Sequence, residues 1–426
     1  MWLYQLLIHL LAPLIVFLIA LDTRKRTAHS AEFWQAFKQR VGWKLAKFQF
    51  TQPPIWIHCA SVGEFKAAEV LIQQLQAQQQ AVMVSVNTPT AAQLLRQTFP
   101  NLAWCYLPFD WPFAIQRFLQ QFEIKPKALW IIETEIWPNL YRLSHTQAIP
   151  ILILNGRLTQ KTLNSPNWLK KIYRQTLSYL DQVLARNLDE AKKFEVLGVA
   201  KAKIQVLGNL KFANLKISNK SCQNPQPRLE FLPKNRSFIL LASSHPDEEI
   251  PITQAWLQLK RPELLVIVPR HPQRGVKIQQ QLQSLITEPH QLGLYSQAAH
   301  CSDGCKVFIV DTIGQLDTLY ACAKLVIMGG SFVPKGGHNF LEAAAKAKPI
   351  LTGPDMSDFE KETEQFKQAQ GLIQVSDYPN LIKELKTLLQ HPEQAETLGK
   401  NALKAAQQTQ QQILKAYLTT LLDFSS

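Results

Sequence analysis

Short apolar runs separated by helix-length segments recur along most of this chain, and that alternation constrains the fold more than any other feature. The runs fall at 55–60, 81–87, 128–132, 151–154 and 182–185, and again at 238–242, 264–268, 307–310, 325–328 and 349–352. Each is bounded and of strand length, so it reads as a buried strand. Between them lie amphipathic patterns, as at 65–79, where Phe65, Ala68, Leu71, Ile72 and Leu75 share one helical face. Strands alternating with helices predict parallel sheets wound with helices on both faces. The two sets of runs are separated at 213–236 by a polar, proline-bearing, aperiodic stretch. That stretch reads as an interdomain linker between an α/β domain at 53–212 and a second at 237–426. The second domain ends in an Ala/Gln/Leu-rich helix after Pro392, and 426 residues suffice for both.

The segment from Asp311 to Pro354 is the most specific piece of this pattern. The run at 325–328 ends at Gly329-Gly330-Ser331, and Gly336-Gly337 follow before a helix expected to start near His338-Asn339. Glycines there let the backbone bend sharply and approach a ligand. A helix start exposes unpaired N–H groups, which suits a phosphate. Gly336 and Gly337 are therefore the expected phosphate-cradling loop. Glu342, one turn into the helix, is placed to accept from a ribose hydroxyl. Such glycine patterns also occur in α/β folds that bind nothing.

Residues 1–22 form a largely apolar stretch without lysine or arginine, interrupted by His9, and Arg24-Lys25-Arg26 follow at once. That length suits a membrane-anchor helix, with the basic cluster marking the cytoplasmic side. Shallow insertion is the alternative. A cleaved signal is disfavoured, because no basic segment precedes the apolar run. Within a connector at 23–52, Trp34, Phe37, Lys38, Arg40, Trp43, Lys44 and Lys47 mix aromatic and basic character, as an interfacial segment on anionic headgroups would. The net charge of +14 is spread along the chain. It suggests an anionic membrane surface or acidic substrate as partner, and no nucleic-acid motif accompanies it. The six cysteines are scattered, which fits reduced thiols, and no paired ligand spacing for a metal is present.

Ligands of doubly wound sheets bind beyond the carboxyl ends of the strands. Glu64 stands there, at a helix start where a carboxylate can serve as a general base or merely cap the helix. Glu133 and Glu135 follow a buried strand, and one of them can simply cap the next helix. Lys211 lies beside the linker, either reaching a negative charge or solvated. Arg270 follows a second-domain strand and is placed to hold a phosphate or carboxylate. No Asp-x-Asp occurs in the chain. Its absence favours a metal-free transfer without cofactor, in which basic groups and helix dipoles stabilise a departing phosphate.

Taken together, HCASVGE at 58–64, ETEIWPNL at 133–140, NGRLT at 155–159, GNLKF at 208–212, SSHPDEE at 243–249, VPRHPQR at 268–274, DTIGQL at 311–316 and GGSFVPKGGHNFLEAA at 329–344 resemble the Kdo (3-deoxy-D-manno-octulosonic acid) transferases. The resemblance implies a GT-B glycosyltransferase, with two Rossmann-like domains facing a cleft and an N-terminal anchor. It implies inverting transfer of Kdo from CMP-Kdo to the lipid A precursor, at the cytoplasmic face of the inner membrane. By motif match it makes Glu64 the general base, and Glu135 and Lys211 the stabilisers of the transition state. It places CMP against Pro269 and Arg270, against Ile313, Gly314 and Gln315, and against Asn339, Phe340, Leu341 and Glu342. The chain carries Gln315 where the family usually has Glu, and Ala91 where a glycine often follows the Thr-x-Thr segment. The rival readings are a transferase of the same fold using a UDP-sugar, and a tethered binding protein without activity.

Overall fold

The computed structural model describes residues 2–27, 30–217, 229–233, 236–297 and 300–423. Most of the expected linker, at 218–228 and 234–235, lies outside the described residues. The chain forms two compact units, Met1–Asn214 with Gln411–Ser426, and Leu215–Gln410.

The first unit is built on seven strands: β1 (Ile55–Cys59), β2 (Val82–Val86), β3 (Ala103–Tyr106), β4 (Ala128–Ile132), β5 (Ile151–Gly156), β6 (Gln182–Ala185) and β7 (Ile204–Val206). Their order is β3-β2-β1-β4-β5-β6-β7, with every neighbouring pair parallel. The central strands are buried on both faces, which is why they read as continuous apolar runs. The order reverses direction between β1 and β4, so the topological switch point lies at their carboxyl ends.

The second unit repeats this plan with β8 (Phe238–Ser244), β9 (Leu264–Pro269), β10 (Leu292–Leu294), β11 (Val307–Ile309), β12 (Leu325–Met328), β13 (Ile350–Thr352) and β14 (Ile373–Gln374). Its order is β10-β11-β9-β8-β12-β13-β14, again all parallel, with the switch point between β8 and β12.

The chain departs from expectation at both ends. Residues 2–26 do not form one straight helix. They form α1 (Trp2–Leu10) and α2 (Ala12–Arg26), bent by 66°. Pro13 opens α2, and a proline cannot donate to the preceding turn, whose carbonyl its ring crowds. Among the described residues no single helix is long and apolar enough to cross a membrane, although the bent pair meets the length and composition requirement together. Ile8 and Ile19 are buried with Trp111 and Ala114, so the pair also packs on its own unit. It is followed by α3 (Ser30–Arg40), on which Ala36 and Gln39 are buried while Trp34 is exposed.

At the other end, the helix Pro392–Asp423 was expected to belong wholly to the second unit, but residues 411–426 cluster with the first. Ile413, Tyr417 and Leu421 are buried there, and the Tyr417 hydroxyl accepts from the Asn155 amide at 3.2 Å and donates to the Gly208 carbonyl at 3.1 Å. Among the cysteines, Cys59, Cys105, Cys301 and Cys305 are free thiols, while Cys322 is disulfide-bonded, unlike the reduced thiols expected throughout.

Candidate functional site

In the first unit the two carboxylate segments meet at the switch point because β1 pairs directly with β4, His58 lying opposite Ile131. The segment after β1 turns at once into α4 (Val62–Ala77), capped by Ser61. Ser61 Oγ accepts from the Glu64 amide at 3.4 Å and donates to Glu64 Oε1 at 3.0 Å, while Oε2 accepts from the Ala60 amide at 2.6 Å. This is a variant of the Ser-x-x-Glu capping box, with Ala60 rather than the cap residue supplying the backbone donor. Glu64 therefore caps its helix, as one of its two readings expected, and its carboxylate lies at the carboxyl end of β1, the side on which such sheets commonly bind ligands.

The helix start does not leave Glu64 fully ionised at neutral pH, as its position alone suggested. Burial and then the charge of Glu135 push it up to about 7, against the donors Ala60 and Ser61, with Glu133 adding to the rise. Burial also raises Glu135, whose Oε2 accepts from Trp137 Nε1 at 2.8 Å. Lys211 sits on a single 3-10 turn, Leu210–Asn214, held by the Asn155 side chain accepting from the Leu210 amide at 3.0 Å. Its Nζ lies 2.6 Å from Glu133 Oε1, so in this structure it pairs with Glu133 and not Glu135. Glu133 is in the left-handed region at φ 61°, an uncommon conformation that costs energy in a residue with a side chain. Glu64, Glu133, Glu135 and Lys211 thus form one electrostatic cluster. A carboxylate balanced near neutrality beside a fixed ammonium can take a proton and offset negative charge.

In the second unit, β9 lies beside β8 and β8 beside β12, so the segments following these strands converge. Pro269 ends β9, and the Arg270 amide donates to the Ser244 carbonyl at 3.0 Å while its side chain is exposed. Beyond β12, the Glu248 carboxylate accepts from the amides of His245, Gly330 and Phe332, which fixes the glycine turn against the β8 loop. Gly336 and Gly337 adopt φ 75° and 72°. Their amides are already used, donating to Asp355 Oδ2 at 2.7 Å and to the Gly330 carbonyl at 2.9 Å. The two glycines shape the turn rather than offering free donors, and the helix after them is the single turn Leu341–Ala344, too short for a strong dipole.

Phe340 and Leu341 are fully buried and anchor that turn. The Asn339 side chain accepts from the Leu341 amide at 3.1 Å and donates to Glu342 Oε1 at 3.3 Å. Ile313 and Gly314 protrude after β11, Ile313 at 88% exposure, and Gln315 precedes the helix Leu316–Cys322. The Asp317–Lys346 ion pair at 3.2 Å joins that helix to the 341–344 turn, and Glu342 acts on buried Tyr320. The 313–315 and 339–342 segments are therefore neighbours.

Sequence reasoning left three histidines unassigned. His245 and His338 touch, Nε2 to Nε2 at 2.8 Å, and His271 lies near His245 with ring centroids 6.2 Å apart. Burial, then His245, Arg270 and His271, lower His338 to about 4, so it is neutral at physiological pH. The signal was present: His-Pro follows both β8 and β9, and the register Ser244↔Pro269 sets those two loops side by side. Among the described residues no cluster of three or more His, Cys, Asp and Glu side chains is placed to hold a metal ion.

Comparison with known proteins identifies the chain's relatives. The profile of the 3-deoxy-D-manno-octulosonic-acid transferase (kdotransferase) family matches residues 35–214. The 3-deoxy-D-manno-octulosonic acid transferase of Haemophilus influenzae is 30% identical over 406 residues, covering 93% of this chain and 92% of its own. That of Bordetella pertussis is 28% identical over 82% of each chain. Among solved structures, a glycosyltransferase from Rickettsia africae has the same fold with a TM-score of 0.60 at 14% identity, over 88% of this chain and 99% of that one. Two parallel α/β units of GT-B-like fold, and a relative this similar over nearly its whole length, place the chain in the 3-deoxy-D-manno-octulosonic acid transferase family.

Proposed function

We propose that this Kdo transferase moves Kdo from CMP-Kdo to the primary hydroxyl of an acylated disaccharide, the lipid A precursor, with inversion and without a metal. The observation that carries the reading is the gathering of Glu64, Glu135 and Lys211 at the first unit's switch point, with Glu64 pushed up to about 7. In this mechanism Glu64 removes the acceptor proton as the oxygen attacks the anomeric ketose carbon. The bond from that carbon to the CMP phosphate breaks, and CMP leaves with the electron pair. Lys211, held by Glu133, offsets negative charge, and Glu135 keeps Glu64 basic enough to accept the proton. Arg270 supplies the positive charge for the donor phosphate, while 313–315 and 339–342 hold the nucleoside. Exposed Leu6, Leu10, Leu14, Phe17, Leu18 and Leu21 on α1 and α2 support seating on the cytoplasmic face of the inner membrane, the bent pair lying in one leaflet.

Mass spectrometry of lipid A precursor incubated with the protein and freshly generated CMP-Kdo tests this. Product heavier by one or more Kdo units is expected from the wild type. Glu64→Gln should lose at least about a hundredfold in rate, the span general-base catalysis supplies, while still binding CMP. Transfer undiminished in that variant would remove Glu64 from its role. Transfer from a UDP-sugar instead would replace the donor.

A further inference from the structure

One buried carboxylate outside the cluster has a place in the fold that the proposed mechanism does not use. Asp110, 1% exposed, precedes Trp111 and faces the first turn of the helix Pro138–Thr146. Its Oδ2 accepts from the Asn139 amide and Oδ1 from the Leu140 amide, each at 2.8 Å, and its backbone carbonyl accepts from Asn139 Nδ2 at 2.6 Å. These donors are the orphan amides of a helix start with no capping side chain of its own. The remaining contact comes from α1: the Tyr4 hydroxyl donates to Oδ2 at 2.8 Å. The next residue, Gln5, donates its side-chain amide to Asn139 Oδ1, and Trp111 Nε1 donates to the Ile8 carbonyl at 3.1 Å.

The same helix start carries the Glu135 segment on its other side. Trp137 precedes Pro138 and donates to Glu135 Oε2, and Tyr141, one turn in, donates its hydroxyl to the Glu135 carbonyl at 3.0 Å. Trp137 also packs edge-on against Phe109, the residue before Asp110. The helix Pro138–Thr146 is therefore gripped by Asp110 and α1, and it grips Glu135 by side chain and backbone. α1 meanwhile turns Trp2, Leu6 and Leu10 outward.

We infer that Tyr4 and Asp110 are positioning residues for Glu135, so that the apolar first helix is part of the acceptor-side machinery and not only a tether. The inference rests on the reading of Glu135 given above. A buried acid with two backbone amides and one tyrosine hydroxyl holds its neighbours in one arrangement, and losing the hydroxyl removes α1's hold on that acid while leaving the amides bonded and the Gln5 and Ile8 contacts in place.

Tyr4→Phe in the full chain is the test, since it removes one oxygen and keeps the ring. The expected result is a fall in kcat of about five- to tenfold, the worth of one ordinary hydrogen bond, with KM for CMP-Kdo unchanged. Combining Tyr4→Phe with Trp137→Phe separates positioning from plain stability, because independent sites multiply and coupled ones do not. The inference expects the double variant to be little slower than Trp137→Phe alone. Costs that multiply, or a lower Tm with kcat intact, overturn it. A wild type that transfers no Kdo overturns the functional reading and this inference together, whereas a wild type that transfers beside an unimpaired Tyr4→Phe overturns this inference alone.

Discussion

Two opposing influences meet at the Glu64 carboxyl: donors from Ala60 and Ser61 favour its charged form, while burial and Glu135 oppose it. A general base works only when ionised, so kcat/KM should fall as pH drops through about 7 and level off above it. Replacing Glu135 with Gln removes the largest neighbouring charge that opposes ionisation. The acidic limb of the residual rate should therefore move to lower pH, and a pH–rate profile of the variant with an unmoved limb would uncouple the two carboxylates. Glu64, Glu135 and Lys211 were legible because each stands in a long motif beside the end of a strand. The pairing of Lys211 with Glu133 was not, since it depends on the positive φ of Glu133 and on how β7 returns the chain. The His245–His338 contact was hidden for the same reason, the two residues lying on separate strands' loops.

At the scale of elements, the central strands were readable because burial on both faces leaves little in them but apolar residues. The strands that went unread are β3, β7, β10 and β14, which are the edges of the two sheets. An edge strand is covered less, so its sequence is mixed; β7 is Ile-Gln-Val and β14 only Ile-Gln. The N-terminal stretch was read as one helix because composition decides membrane length, whereas one proline decides geometry. The glycine turns allow a sharper comparison. Gly314 and Gly337 both have positive φ, but a Cβ at Gly314 meets open space, whereas at Gly337 it runs into Met356 and the Asp355 carbonyl. Gly314→Ala should cost only the left-handed backbone, roughly 1–2 kcal/mol, and Gly337→Ala distinctly more. Thermal unfolding of the two variants would show it, and equal losses of Tm would mean that the Met356 side chain simply moves aside.

For the whole molecule, the net charge of +14 and the apolar outer faces of α1 and α2 combine into one expectation. The full chain should co-sediment with vesicles containing anionic lipid, less so as salt rises and the surface potential is screened. Replacing Phe17 and Leu18 by Asp should weaken that binding by at least about tenfold, since each buried methylene is worth about 0.8 kcal/mol. Equal affinity for neutral vesicles would assign the charge to the substrate rather than the surface. The helix that ends at Asp423 has a different bearing, on the order in which the protein is made. Because Ile413, Tyr417 and Leu421 complete the first unit, and Tyr417 bonds both Asn155 and Gly208, that unit cannot finish folding when residue 214 leaves the ribosome. Its last core residues are synthesised only after the entire second unit. The first half must wait part-formed until then, and a fragment ending at 214 would need the 411–423 segment supplied as a separate peptide to close.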